Sequence, residues 1–356
     1  MGFRSVNIMC TVVLLMALSI GCSKKTSPTA APDDPVPTVP SIYVGGDFTA
    51  GGLSYPCYWK NGVRTVLQAN AGTGYYVSSM TGEGGQVFSG GYSRLGSDLR
   101  PCYWQGTTRN DLTGLGGYAV VNGIAASGGT AYCAGEADSG GMRIPVLWRG
   151  SSRTTLKMDT LSSHFATSVA MRNGVPYCGG YFYGPGGSAP CYWADTAKQV
   201  LSRDTVNNAY VFAIATDEAD IYCGGVYYST NPTGRMIPCY WQDTVLHTLP
   251  SIGAYDAQVC AIMVDGGTVY AGGQAFDGAV SLACYWKDGT RYDLPCSTAT
   301  DACVMSIKMY SGTLYCAGYI RIGAKNLPCY WQGGIRLDLP LDSIATGGVA
   351  VGIAVQ

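Results

Sequence analysis

The chain has 356 residues, a formal net charge of -1 and only 13% charged residues, which leaves no electrostatic footprint for a nucleic-acid partner. Fifty glycines and 26 tyrosines, with few helix-type charge patterns, argue against a helical protein and for short strands joined by tight turns.

The N-terminus carries Arg4, an apolar run to Ile20 and then Gly21-Cys22, which reads as a secretion signal over residues 1–22. The run is short for a membrane span, and Ser23-Lys24-Lys25 end it. Gly21-Cys22 resembles the lipobox of bacterial lipoproteins, in which the chain is cut before the cysteine and Cys22 is lipidated. Ser19 stands where such boxes usually carry Leu, Val or Ile, so an ordinary secretory signal is the other reading. Residues 23–40, SKKTSPTAAPDDPVPTVP, read as a disordered Pro/Ser/Thr tether. Ser23 directly after the cysteine resembles the signal for outer-membrane delivery in a Gram-negative cell. The expectation is an exported protein, lipid-anchored to the envelope.

Residues 41–356 repeat. All seven tryptophans, Trp59, Trp104, Trp148, Trp193, Trp241, Trp286 and Trp331, recur at intervals of 44 to 48 residues, and eight positions after each stands a leucine. The sixth repeat parses into strand a (257–264), strand b (268–273), strand c (282–286) and strand d (290–294), with Asp288-Gly289 as a two-residue hairpin turn. A four-stranded meander of this length, repeated seven times, is an all-β, seven-bladed β-propeller. The body starts at strand b, SIYVGG, and ends in GGVAVGIAVQ, which matches a strand a. The C-terminal strand is therefore expected to complete the first blade and close the ring.

Small residues in strand a suit the crowded axis, which leaves strand d at the rim. Five positions after the tryptophan stand Arg64, Arg109, Arg153, Lys198, Leu246, Arg291 and Arg336. In a two-residue hairpin these face the tryptophan, where a cation can cover the indole. The repeats resemble those of secreted bacterial propellers with the signature Tyr58-Trp59-Lys60-Asn61-Gly62, and their double glycines, such as Gly45-Gly46 and Gly272-Gly273, are similar to kelch repeats. Adjacent Tyr and Trp depart from the kelch pattern. The resemblance implies a propeller fold and export.

Removing Cys10 with the signal and Cys22 for lipid leaves thirteen of the 15 cysteines. Three blades pair one on strand b with one on strand c: Cys178 with Cys191, Cys223 with Cys239, and Cys316 with Cys329. Intra-blade disulfides and buried thiols are both open, because other blades place Val, Ser or Ala at one of the two positions. Cys296 and Cys303 flank a short linker and offer a further bridge. With only His164 and His247, and without a Cys-x-x-Cys motif, no metal or other cofactor is expected.

Convergent catalytic motifs are missing, so a non-catalytic role is preferred. What varies between repeats is the b–c connection, and variable segments on a regular scaffold are where recognition usually resides. The densest aromatics are Tyr181, Phe182, Tyr183, Tyr227 and Tyr228, with Arg235 in the longest connection. These six are the candidate ligand-binding residues of an envelope-anchored, monomeric binding or scaffold protein whose partner is a protein or a glycan. The alternative is a polysaccharide-active hydrolase or lyase with carboxylates at the central channel.

Overall fold

Each Trp-bearing hairpin turns on residues that can adopt left-handed backbone: φ is 47° and 81° at Asn61-Gly62, and 44° and 79° at Asp288-Gly289. That turn sets strand d against strand c, and three such antiparallel pairings build a blade. The computed structural model describes residues 39–356 apart from 71, 73, 115, 160, 185, 204–207 and 230–233. The signal peptide, Cys22 and the tether up to residue 38 lie outside the described residues.

Within Pro40–Gln356 the strands form seven blades ordered a-b-c-d from the axis outward. Five are separate four-stranded sheets, among them the blade closed by the C-terminus. Blades six and seven are joined into one eight-stranded sheet by a single parallel bridge, Ser281 to Asp301. Blade one takes strands b, c and d from Ile42–Ala50, Leu53–Lys60 and Val63–Val66, and its strand a from Ala345–Val355. The two ends are also tied by Ser41 N donating to Gln356 O at 2.7 Å. The ring closes as the incomplete first repeat requires.

The tryptophans hold blade to blade. All seven are at most 1% exposed, and each indole Nε1 donates to the backbone carbonyl just after the repeat leucine of the preceding blade. The acceptors are Gln68 for Trp104, Thr113 for Trp148, Lys157 for Trp193, Ser202 for Trp241, Pro250 for Trp286 and Pro295 for Trp331, at 2.8–3.1 Å. Trp59 donates to Pro340 at 3.0 Å and so carries the same clasp across the closure. The leucine is fixed in turn by its own N–H on the strand c carbonyl, as in Leu67 to Pro56 and Leu249 to Pro238, both at 2.9 Å. Adjacent Tyr-Trp and a leucine eight residues on are thus two halves of one inter-blade contact.

The second glycine of each pair, and the glycine after Ala134 and Ala317 in the two blades without a pair, has an equally local cause. A Cβ on Gly46 would stand 1.9 Å from the carbonyl oxygen of Val349, and the same clash recurs at Gly91, Gly135, Gly180, Gly225, Gly273 and Gly318. No other residue fits there. Beside it the a–b ladder shifts register in every blade, leaving one unpaired bulge residue on strand a: Val351, Ser78, Asn122, Thr167, Phe212, Cys260 and Met305.

Two expectations change. The register does set Trp193 opposite Lys198 and Trp59 opposite Arg64, yet the cations lie over other rings: Arg64 over Phe48 at 4.0 Å, Arg109 over Tyr75 at 5.3 Å and Lys198 over Phe182 at 3.6 Å. The indole is already enclosed by the neighbouring blade, so no face is left for them. The b–c segments are mostly paired strand, for example Tyr181 with Pro190 and Tyr183 with Ser188, rather than loops. In the cysteine pairs, Cys178 stands opposite Trp193 and Cys191 opposite Gly180, a diagonal offset that recurs for Cys223 with Cys239 and Cys316 with Cys329. All six are buried free thiols in this structure, and burial pushes each pKa up.

Replacing Trp286 by Phe keeps the ring but leaves the Pro250 carbonyl without its donor. Urea denaturation is expected to show a loss of about 1–3 kcal/mol, against under about 0.5 kcal/mol for Tyr292→Phe at the exposed rim.

Candidate functional site at the channel mouth

The bulge decides what faces the axis. Its extra residue has no partner in the ladder, and the seven bulge residues all line a central cavity of about 490 Å³. The remaining lining is strand a, apolar or hydroxyl-bearing apart from Gln258, as at Ser79, Gly123, Ser168 and Ile262. None of the described residues lining it is Asp, Glu, His, Lys or Arg. The carboxylates foreseen at the channel by the hydrolase reading are not part of this lining.

One step from the second glycine toward the b–c turn, strand b places a second ring of side chains: Asp47, Tyr92, Glu136, Tyr181, Val226, Gln274 and Tyr319. The register sets Tyr92 against Tyr76 and Tyr181 against Phe165 on strand a. Both pairs stack, at centroid distances of 5.0 and 4.8 Å.

Around blades four and five these contacts extend into a continuous aromatic cluster. Tyr183 packs edge-on to Phe165 at 5.6 Å and to Tyr181 at 6.2 Å; Tyr181 meets Tyr210 of the next blade at 4.8 Å. Tyr210 in turn touches Tyr228 at 5.9 Å and Phe212 at 6.3 Å, and Phe212 is the bulge residue that enters the channel. All six rings keep solvent exposure, Tyr183 the most at 46%. Rings held on paired strands lose little freedom when they bind.

Polar groups flank the cluster on the side of blade three. Glu136 accepts from Tyr118 Oη at 3.2 Å and Asn122 Nδ2 at 2.5 Å, and the Arg143 guanidinium lies 3.3 Å from the Tyr118 ring centroid. Burial raises the Glu136 pKa against these hydrogen bonds, and burial with the Glu136 charge pushes Tyr118 up to about 12. Asp47 on blade one is raised to about 6 by burial, opposed by hydrogen bonds from Ser54 Oγ at 3.0 Å and the Val77 backbone. Among the described residues no group of three or more His, Cys, Asp or Glu side chains is placed to hold a metal ion.

The structure divides the six ligand-binding candidates. Tyr181, Tyr183 and Tyr228 join the cluster. Phe182 is buried, stacked on His164 at 4.9 Å beneath Lys198, and Tyr227 turns back into blade five, its hydroxyl 3.1 Å from Thr248 Oγ1. Arg235 reaches the Gly253 carbonyl at 3.4 Å and is no part of the ring contacts. Strand alternation accounts for the split, since neighbours in a paired strand point to opposite faces. Phe165, Tyr210 and Phe212 were missed because strand a was read as uniformly small. The signal for them was present in FAT and YVF, where aromatics interrupt that pattern.

No protein-family model matches the chain, and no curated protein matches it in sequence. Among solved structures it is similar to the β-propeller domain of the Trilobed protease from Pyrococcus furiosus, with 8% identity and a TM-score of 0.52 over 82% of this chain and 88% of that one. It is also similar to Pyrococcus horikoshii acylaminoacyl peptidase, with 11% identity and a TM-score of 0.50 over 85% of this chain and 50% of that one. The fold is a β-propeller. The Pyrococcus furiosus domain has an open velcro topology, whereas here the antiparallel C-terminal strand closes the first blade.

Asp47 yields a pH signature. Its pKa is about 6 folded against 3.8 as the reference, so between these values the native state holds a proton that the unfolded chain has released. Stability from this group is full below pH 3.8 and falls as pH rises through 6, by on the order of 2–3 kcal/mol. Asp47→Asn is expected to flatten that fall in urea midpoints measured from pH 4 to 7, leaving the variant at least as stable as wild type at pH 7.

Proposed function

We propose that this chain is a non-catalytic, envelope-anchored binding protein that receives a glycan or protein ligand at the b–c face of its propeller. One observation carries the reading: the cluster of Phe165, Tyr181, Tyr183, Tyr210, Phe212 and Tyr228, continuous across two blades and running into the channel mouth. Such rings offer flat apolar faces to a sugar or an apolar side chain. The neighbouring Asn122, Thr167 and Ser79 supply neutral hydrogen-bonding groups in the channel. Anchoring through Cys22 would hold the propeller at the envelope with residues 23–40 as spacer.

Asp47 and Glu136 favour the second reading, a polysaccharide-active hydrolase or lyase, because both carboxyls are raised in pKa and both act on the Tyr92 hydroxyl. Against it, each carboxyl is already engaged by nearby hydrogen-bond donors, and the channel lining carries none. Loss of a polysaccharide-cleaving activity in Asp47→Asn and Glu136→Gln would decide for the enzyme.

For the binding reading, Tyr183→Ala and Tyr228→Ala are expected to weaken a ligand found by glycan array or pull-down by about 30-fold each, with little change in melting temperature. Phe182→Ala, being buried, should lower stability instead. Unchanged affinity in both tyrosine variants would remove the site. Cys22→Ser should release the folded protein from membrane fractions, and retention there would contradict the anchor.

A further inference from the structure

The channel lining contains a chemical group that neither binding nor architecture uses. Cys260 is the bulge residue of blade six, half-buried and facing the central cavity. Its Sγ lies 3.7 Å from Sγ of Cys303, a 2% exposed residue on strand a of blade seven. Cys303, grouped in the sequence with Cys296, is thus in contact with a cysteine of the preceding blade. The other cysteines on strands b and c stand beside tryptophans in blade interiors, at 0–1% exposure.

We propose that Cys260 and Cys303 form an oxidisable dithiol that closes to an inter-blade disulfide when a low-molecular-weight disulfide enters the channel. The two sulfurs are in van der Waals contact, so bond formation requires an approach of about 1.7 Å, given an S–S bond of about 2.05 Å. Rotation about χ1 of two side chains on facing strands can supply it. Cys260 is the attacking group because it alone of the two faces the cavity, with the Cys303 thiol in contact behind it. Contact with Cys260, followed by burial, raises the Cys303 pKa.

The exchange balances in two steps. Cys260 thiolate attacks one sulfur of the entering disulfide RSSR, forms a mixed disulfide and expels RS⁻, which takes up the proton lost by Cys260. Cys303 then loses its proton, attacks Sγ of Cys260 and expels the second RS⁻, which is protonated in turn. Two protein thiols are oxidised by two electrons, and RSSR is reduced to two RSH. The product links strand a of blade six, Ala257–Asp265, to strand a of blade seven, Asp301–Tyr310, at a junction where strand c of blade six also bridges Asp301 through Ser281.

The test uses the full chain purified reduced, exposed to oxidised glutathione, alkylated in denaturant and cleaved before aspartate and after lysine without reduction. These cuts release residues 256–264 and 301–308, each with a single cysteine, and separate Cys260 from Cys239 and Cys284, and Cys303 from Cys296. The expected product is one cross-linked species of these two peptides, with a melting temperature about 5 °C above that of the reduced protein. Cys260→Ser and Cys303→Ser should each fold, lose the cross-link and lose the shift on oxidation. Two alkylated peptides, a stable glutathione adduct on Cys260, or a bridge from Cys303 to Cys296 or Cys284 would each overturn the proposal.

Discussion

The indole N–H of one blade donating to the backbone carbonyl of the blade before it is the contact on which the rest of the molecule depends. Each blade alone is a small sheet with two apolar faces and cannot bury both. Stacking seven in a ring buries them, but sliding one sheet over another would cost little if the interface were only apolar. The buried Trp Nε1 must find a partner, and the carbonyl after the repeat leucine is where it does, for example Gln68 for Trp104 and Pro250 for Trp286. Register between blades is thereby fixed at one point per interface, including the closing one at Trp59 and Pro340.

Inside each blade the second glycine plays the matching part near the axis. With no Cβ at Gly273 or Gly180, strand a can bulge against strand b, and the extra residue turns to the channel. Two constraints, one at the rim of the blade and one at its core edge, leave the bulge residues and the following strand b positions free to vary. Variation there is chemically wide: Asp47, Tyr92, Glu136, Tyr181, Val226, Gln274 and Tyr319 occupy one repeat position. A constant frame with a variable ring at its mouth supports the proposed binding role, and the aromatic cluster of blades four and five is its densest sector.

Much of the fold was legible because its causes repeat. Seven tryptophans in register, the leucine after each and the double glycines mark contacts that recur once per blade, and the orphan strand at each end marks closure. The site was legible only in part, for two physical reasons. A bulge adds one residue to strand a without any residue type that announces it, so Phe212 and Cys260 read as ordinary strand positions rather than channel lining. The b–c segments read as loops, which hides alternation: Tyr181 and Tyr183 face the cluster while Phe182, between them, packs on His164. Contact between Cys260 and Cys303, 43 residues apart, follows from the blade-to-blade register and leaves no trace in local spacing.

The most direct measurement is hydrogen exchange on the chain lacking residues 345–356, compared with the full chain. If the ring is held by its last strand and the Trp59 clasp, protection should be lost first in Ile42–Ala50 and in Thr313–Ile322 and Lys325–Gln332 of the adjoining blade seven, with a clear fall in melting temperature. Unchanged protection in those strands and an unchanged melting temperature would contradict the account.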